Sequence, residues 1–325
     1  MKLLHLTLLI AFVSLHLTAQ ALASEELNLT ETDDTIRITL RGKPVLQYIK
    51  KPQPVPEGLP QHFSRSGYIH PVYTPTGQEL TGDYPADHAH QHALFFAWVK
   101  SKFKGKNVDF WNQAKDLGKV EFRQVVNMSR EEKKVAFSVK HAFMGKDGDK
   151  WVDLLHEVWT VTVHQTPADH FLFDIISVQR CATDKPLILD EYHYGGMAIR
   201  GNHQWTKEKG DHSTDVGEVQ YLTSDGKDRW DGNHTRPNWV AFSGKIDGQP
   251  ASAAVMCSPK NFRAPQPVRI HPNKPYFCFA PMVEGPFEIA PGTEYVSHYR
   301  YLVTSKATDV NMIQTHWDEY AKLEK

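Results

Sequence analysis

Cysteine is scarce: Cys181, Cys257 and Cys278 are all that 325 residues contain. An odd number cannot pair fully within one chain, and this spacing fits no zinc motif. Each lies in an apolar, strand-like stretch. Buried free thiols are therefore expected, with one disulfide as the alternative in an oxidising compartment. An excess of charge is missing as well. Lys and Arg number 37 against 38 Asp and Glu, for a formal net charge of −1. Mixed runs such as "REEKK" (130–134) mark solvated turns, not basic blocks. No global field draws in nucleic acid or an anionic membrane surface. Also absent are a phosphate-cradling glycine loop, a dinucleotide fingerprint, a G-x-S-x-G elbow and an H-E-x-x-H pair. That disfavours nucleotide-dependent chemistry and serine hydrolysis. After residue 23 no apolar run is long enough for a stable membrane span.

What is present begins with a leader. Lys2 precedes the apolar stretch "LLHLTLLIAFVSLHLTA", and "ALAS" (21–24) offers small residues at Ala21 and Ala23. This pattern predicts a secretory signal peptide over residues 1–23, cleaved after Ala23, and a secreted or periplasmic protein. The remainder, 24–325, is expected to form a single β-sandwich domain. The 40% hydrophobic content of the whole 325-residue chain suffices for a core without disulfides or a structural metal.

The rhythm of the chain is that of strands. "TIRITLRG" (35–42) alternates Ile36, Ile38 and Leu40 with Arg37, Thr39 and Arg41, the period of a half-buried strand. Residues 51–61, rich in Pro and Gly, predict an irregular connection. From residue 119 four strand-like runs follow, "KVEFRQVVNMS", "KVAFSVKHAF", "DLLHEVWTVTVH" and "HFLFDIISVQR", separated by polar turns. They predict an antiparallel meander. Further strands are expected at 187–194, 239–243, 252–257, 276–280 and 294–303. One helix is expected at the C-terminus, where Ile313, Trp317, Tyr320 and Leu323 share a face behind Asp309 as N-cap. The expected fold class is all-β: a large antiparallel sandwich with few short helices and a C-terminal helix.

One stretch carries the densest chemistry. "DYPADHAHQHALFFAW" (83–98) places histidines at 88, 90 and 92 and aspartates at 83 and 87. Read as a strand, it puts His88, His90, His92, Leu94, Phe96 and Trp98 on one face. Imidazoles two apart on a strand suit a metal ion that takes a further ligand from elsewhere, or proton transfer near neutral pH. Other polar residues stand where a core strand prefers apolar ones. Glu157 shares a face with Leu155, Trp159 and Val161, so it is paired, lines a cleft, or lies on the solvent face. "LDEYHYGGMAIRG" (189–201) gathers Tyr192 and His193 before a Gly-Gly that marks a bend or a close backbone approach. Arg269 and His271 stand two apart in "RIHP", and an arginine there suits a carboxylate or phosphate. Trp98, Trp111 and Trp239 are candidate sugar platforms that serve equally well as core.

These stretches resemble a bacterial family labelled "methane oxygenase PmoA-like", of unknown function. The resemblance rests on "IHPVYTPTGQELTGDYPADHAHQHALFFAW" with "NVDFWNQ" (107–113), on "YGGMAIRG" (194–201), on "RPNWVAFSGKIDGQPASAAVM" (236–256) and on "PVRIHPNKPYFCFAP" (267–281). It covers nearly the whole mature chain. The family usually reads Asp-His-Pro-His-His-(Arg or His)-Gly; Ala89, Gln91 and Ala93 stand here at the Pro, second consecutive His and Gly places. The oxygenase of that label is an integral membrane complex, which this chain is not built to be. More distantly the chain is similar to galactose-mutarotase-type sandwiches, a fold that hosts epimerases, lyases and hydrolases.

The function expected first is a carbohydrate-active enzyme of the lyase, epimerase or hydrolase kind. His90 and His92 would serve as acid and base, partnered by Glu157, Tyr192 or His193. Arg65, His88, Arg269, His271 and the three tryptophans would bind substrate. The alternatives are a metal-dependent protein with a divalent ion on His88, His90 and His92, and a non-catalytic glycan-binding module.

Overall fold

The apolar row Ile36, Ile38 and Leu40 needs a second layer to cover it. The computed structural model, which describes residues 26–113, 116–206 and 219–324, supplies one. The expected leader lies outside the described residues. Twenty strands are numbered β1 to β20 in chain order. The first sheet runs β1 (Leu27–Glu31), β2 (Thr35–Leu40), β3 (Lys43–Ile49), β4 (Tyr68–Val72), β5 (Leu94–Ala97), β13 (Gly196–Arg200), β18 (Tyr276–Phe279), β17 (Val268–Ile270). The second runs β14 (Gln220–Thr223), β15 (Trp239–Ile246), β16 (Gln249–Cys257), β20 (Glu294–Thr304), β11 (His170–Cys181), β10 (Lys150–His164), β9 (Lys134–Asp147), β8 (Gly118–Glu131). A small third sheet joins β19 (Phe287–Ile289), β12 (Leu187–Leu189), β6 (Ser101–Phe103) and β7 (Lys106–Val108). Every strand pair is antiparallel. The all-β antiparallel architecture expected from the sequence is the one observed.

The expected meander is β8 to β11, in order. The C-terminal helix, α1 (Val310–Leu323), begins at Asp309, whose carboxylate accepts from the Met312 N–H at 3.1 Å. Ile313, Trp317 and Tyr320 bury against β15, β16 and β20, but Leu323, expected on that face, is exposed. The three cysteines are free thiols. Two expectations change. The strand expected at 187–194 ends at Leu189, and Gly195 and Gly196, with φ near +124° and +123°, turn the chain into β13. A Cβ on Gly196 would sit 2.4 Å from the Phe279 carbonyl oxygen, which is the close backbone approach that the glycine pair signalled. The second change concerns 83–98 and decides the site. Among the described residues no helix is long and apolar enough to cross a membrane.

Opposed residues of an antiparallel pair point to the same side of the sheet. Phe277 packs on Phe242 of β15, and Phe96 on Tyr295 of β20, so these residues and their strand partners Ile199 and Met197 face the inter-sheet core. Phe95, Arg200, Arg269, His271 and Tyr276 alternate with them and face outward. The outer face of the first sheet is therefore the only one of its two sides free to carry a ligand.

Candidate functional site

Only Leu94–Ala97 of the histidine-rich stretch is strand; residues 83–93 leave the sheet. Pro85 has no N–H for a ladder, and Tyr84 and Ala93 adopt φ of 46° and 53°. The segment folds into successive turns, with His88 N–H donating to the Pro85 carbonyl and Gln91 N–H to the His88 carbonyl. The strand expected over His88–Trp98 is thus corrected, and its consequence is geometric. His92 is fully buried, its Nδ1 on Asp83 Oδ1 at 2.9 Å and its Nε2 on Gln113 Oε1 at 3.2 Å. His88 and His90 stay on the outside of the turn, ring centroids 5.5 Å apart. His88 also meets His271 at 5.6 Å, so its ring stands between the other two.

Asp87 anchors this cluster. One oxygen accepts from Arg200 Nη2 at 3.0 Å; the other meets His88 Nδ1 at 2.9 Å and Lys274 Nζ at 3.1 Å. Arg200 also donates to Gln91 Oε1 at 2.7 Å and to Thr206. Burial raises the Asp87 pKa, but His88, Arg200 and Lys274 outweigh it and hold the carboxyl far below the usual range. A permanently ionised Asp87 requires a proton on His88 Nδ1 for their hydrogen bond. In the neutral ring the lone pair then lies on Nε2.

Around these rings is a pocket of about 300 Å³. Its aromatic wall is Trp111, Tyr192, Tyr194 and Tyr276, with Trp111 5.2 Å from Tyr194. Its polar groups are His88, His90, Gln91, Asn112, His193, Arg269 and His271. Among the described residues no carboxylate is in this lining. Burial, reinforced by His88, His92 and Arg200, pushes His90 down to about 3. Burial, with His88 and Arg269, does the same to His271. Both imidazoles are neutral at physiological pH. His271 Nδ1 accepts the Asn273 N–H at 3.3 Å, which leaves its proton on Nε2.

A linkage follows. Both groups take up a proton on unfolding anywhere between pH 3 and about 6.5, so acid favours the unfolded chain in that window. The urea midpoint is expected to rise steadily from pH 4 to pH 6.5. His90→Gln should flatten the rise; an unchanged slope would mean that His90 is protonated in the folded state.

A family model described as a family of unknown function, DUF6807, matches residues 35–318. The chain belongs to that family. The family description assigns no activity, and no curated protein matches the sequence. Solved structures similar to this DUF6807 member include an α-N-acetylgalactosaminidase from Bifidobacterium bifidum in complex with GalNAc, at 10% identity and TM-score 0.36, over 91% of this chain and 37% of that one. A GalM/aldose epimerase homologue from C. elegans is 12% identical at TM-score 0.34, over 86% and 100%. Heparan sulfate lyase HepC from Pedobacter heparinus is 9% identical at TM-score 0.31, over 89% and 36%. The chain spans about a third of the length of the first and last of these. At such TM-scores the likeness carries no functional argument, which rests on the DUF6807 site itself.

Of the residues singled out from sequence, His88, His90, Trp111, Tyr192, His193, Arg269 and His271 meet at the pocket. Five do not. His92 points inward, so a ligand set of His88, His90 and His92 does not form. Among the described residues no group of three or more His, Cys, Asp or Glu is arranged to hold a metal. Glu157 is fully buried between the sheets, accepting from Ser177 Oγ at 2.5 Å and Gln179 Nε2 at 2.8 Å and bonded to His141 Nδ1 at 2.7 Å. Trp98 donates to Gln179 Oε1 at 2.7 Å in the same network. Trp239 packs under α1. Arg65 is buried, with Nη2 on the Phe96 carbonyl at 2.7 Å, beside a wider cleft of about 600 Å³. The lysines of that cleft are engaged by neighbouring carboxylates: Lys50 by Glu31, Lys51 by Asp34, Lys119 by Glu121. Sequence reasoning missed Arg200, Lys274, Asn112 and Tyr276. Nothing local marks them: Arg200 and Lys274 meet Asp87 across more than a hundred residues, Tyr276 is brought in by pairing with Arg200, and Asn112 by its bond to Tyr194.

Proposed function

We propose that this pocket binds a sugar and moves a proton on it, with His88 as general base. The observation that carries the reading is the Asp87–His88 dyad, clamped by Arg200 and Lys274 at the edge of an aromatic-walled pocket. A carboxylate on Nδ1 fixes the ring and its tautomer and leaves Nε2 to accept a proton, the base-plus-orienter arrangement of many acid–base sites. The partly exposed Tyr192 and Tyr194 offer ring faces of the kind that stack on sugar C–H surfaces, with the buried Trp111 packed against Tyr194, and about 300 Å³ suits one sugar unit. His88 Nε2 takes a proton from a carbon next to a carbonyl or carboxyl group. The electron pair moves onto that oxygen, where the neutral His271 Nε2–H donates to it. Return of a proton on the other face gives an epimer; departure of a β-oxygen substituent with the electron pair gives an alkene. Hydrolysis by two carboxylates finds no support, because among the described residues no carboxylate lines the pocket. A glycan-binding module would present tryptophans in an exposed row, and among the described residues only Trp230 is exposed.

The test is proton exchange. A panel of aldoses, ketoses, uronates and their oligomers is incubated with the protein in deuterium oxide and read by mass spectrometry. Deuterium entering one carbon, or an unsaturated product, supports the reading. A panel that stays unlabelled and unchanged sinks it.

A further inference from the structure

The pocket's charges do not balance. Three cationic side chains, Arg200, Lys274 and Arg269, stand in or beside its walls. Arg200 and Lys274 are spent on Asp87. Arg269 is not spent on anything comparable. Among the described residues it makes no ion pair, and its side-chain hydrogen bond is a long one, Nη1 to Asn233 Oδ1 at 3.3 Å. A guanidinium offers five N–H donors in a rigid fork that fits a planar, two-oxygen anion. Arg269 thus presents a fork with nothing anionic in it.

The neighbours of Arg269 repeat the pattern. His271 stands two residues along the same edge, hence on the same face, and also lines the pocket. With Nδ1 taken by the Asn273 N–H, it offers a donor and no acceptor. The positive field of Arg269 contributes, after burial, to lowering His193, His234 and His271 alike. A lining with no carboxylate among the described residues, around an unpaired guanidinium and a neutral donor, is complementary to an anion.

We infer that the sugar bound here carries a carboxylate, as a uronic or aldonic acid does, and that this carboxylate seats on Arg269 with His271 beside it. The inference rests on the proposed sugar-binding function and narrows its substrate class. It also fits that chemistry. A carboxylate neutralised by Arg269 makes the adjoining C–H more acidic, and His88 stands next to His271 to receive the proton.

Equilibrium binding by calorimetry tests it with four probes: galacturonate- and glucuronate-containing disaccharides, their neutral counterparts, the 6-sulfated neutral sugars, and non-sugar hydroxy-dicarboxylates. The uronates are expected to bind about 10- to 100-fold more tightly than the neutral sugars, the range of a charge-assisted pair. Arg269→Gln should remove that difference, and Arg269→Lys should restore part of it. The melting temperature of each variant is measured beside the parent's, which separates lost binding from lost folding. Equal affinity for acid and neutral sugars overturns the carboxylate while the sugar reading stands. Preference for the sulfated sugars overturns it in favour of a tetrahedral anion. Binding of the dicarboxylates alone keeps the carboxylate seat and overturns the sugar. Binding of none of the four overturns both.

Discussion

His88→Ala is expected to lower turnover about 10²- to 10⁴-fold, the usual worth of a positioned general base, and to leave the melting temperature nearly unchanged. The reason lies in how Asp87 is held. Its carboxylate keeps Arg200 and Lys274 when the imidazole is gone, so no buried charge is left unpaired. His88 is itself partly exposed at the pocket edge and fills no core space. A second variant sharpens the claim. Asp87→Asn keeps the shape but can present an N–H to His88 Nδ1, which would move the ring proton to Nε2 and remove the acceptor from the pocket. It should cost turnover nearly as much as His88→Ala, with little change in substrate affinity. Steady-state kinetics on the substrate found by deuterium exchange decides it. Retention of parental kcat in His88→Ala would end the assignment of His88 as base.

Glu157→Leu carries the largest expected change in stability, about 3–5 kcal/mol, as when one partner of a buried charged pair is removed. The carboxylate is the acceptor at the centre of a dry network. His141, Ser177 and Gln179 all bond to it, His141 Nε2 bonds to Tyr48 Oη at 2.7 Å across the sheets, and Gln179 accepts from Trp98. Its removal leaves the buried His141 Nδ1 without a partner and leaves Ser177 and Gln179 only a long bond of 3.4 Å to each other. Arg65 loses the strongest negative influence acting on it as well. Burial lowers its pKa to about 10, and Glu157 is the largest influence in the opposite direction. Glu157→Gln, which keeps an acceptor oxygen, should cost less than half as much. Urea unfolding of the three proteins side by side gives the answer. A Glu157→Leu variant as stable as the parent would show that hydrophobic burial replaces the network without loss. Neither variant touches the pocket, so kcat per folded molecule should stay at the parental value.

The sequence by itself determined the fold class. Strict alternation in 35–42 and the four consecutive runs from residue 119 leave little freedom, because one residue of slip would turn every apolar side chain to solvent. It determined the helix behind Asp309, which follows from local periodicity and capping, whereas it left Glu157 open between a buried pair, a cleft and the solvent face. It also marked Arg269 with His271, Tyr192 with His193, and the histidine cluster as the places where polarity exceeds what a core strand tolerates. Tertiary structure decided which of these belong together. The alternation of His88, His90 and His92 reads as one strand face, yet Pro85 and the hydrogen bonds of Asp83 break it into turns that send His92 inward and the other two out. Periodicity reports the side of an element on which a residue lies, and only if the element exists. The clamp on Asp87 and the free fork of Arg269 depend on residues 87, 200, 269 and 274 meeting through pairing of β5, β13, β18 and β17. Contacts between residues so far apart in sequence leave no local trace, because the energy that fixes them resides in the packed sheet and not in any segment of it.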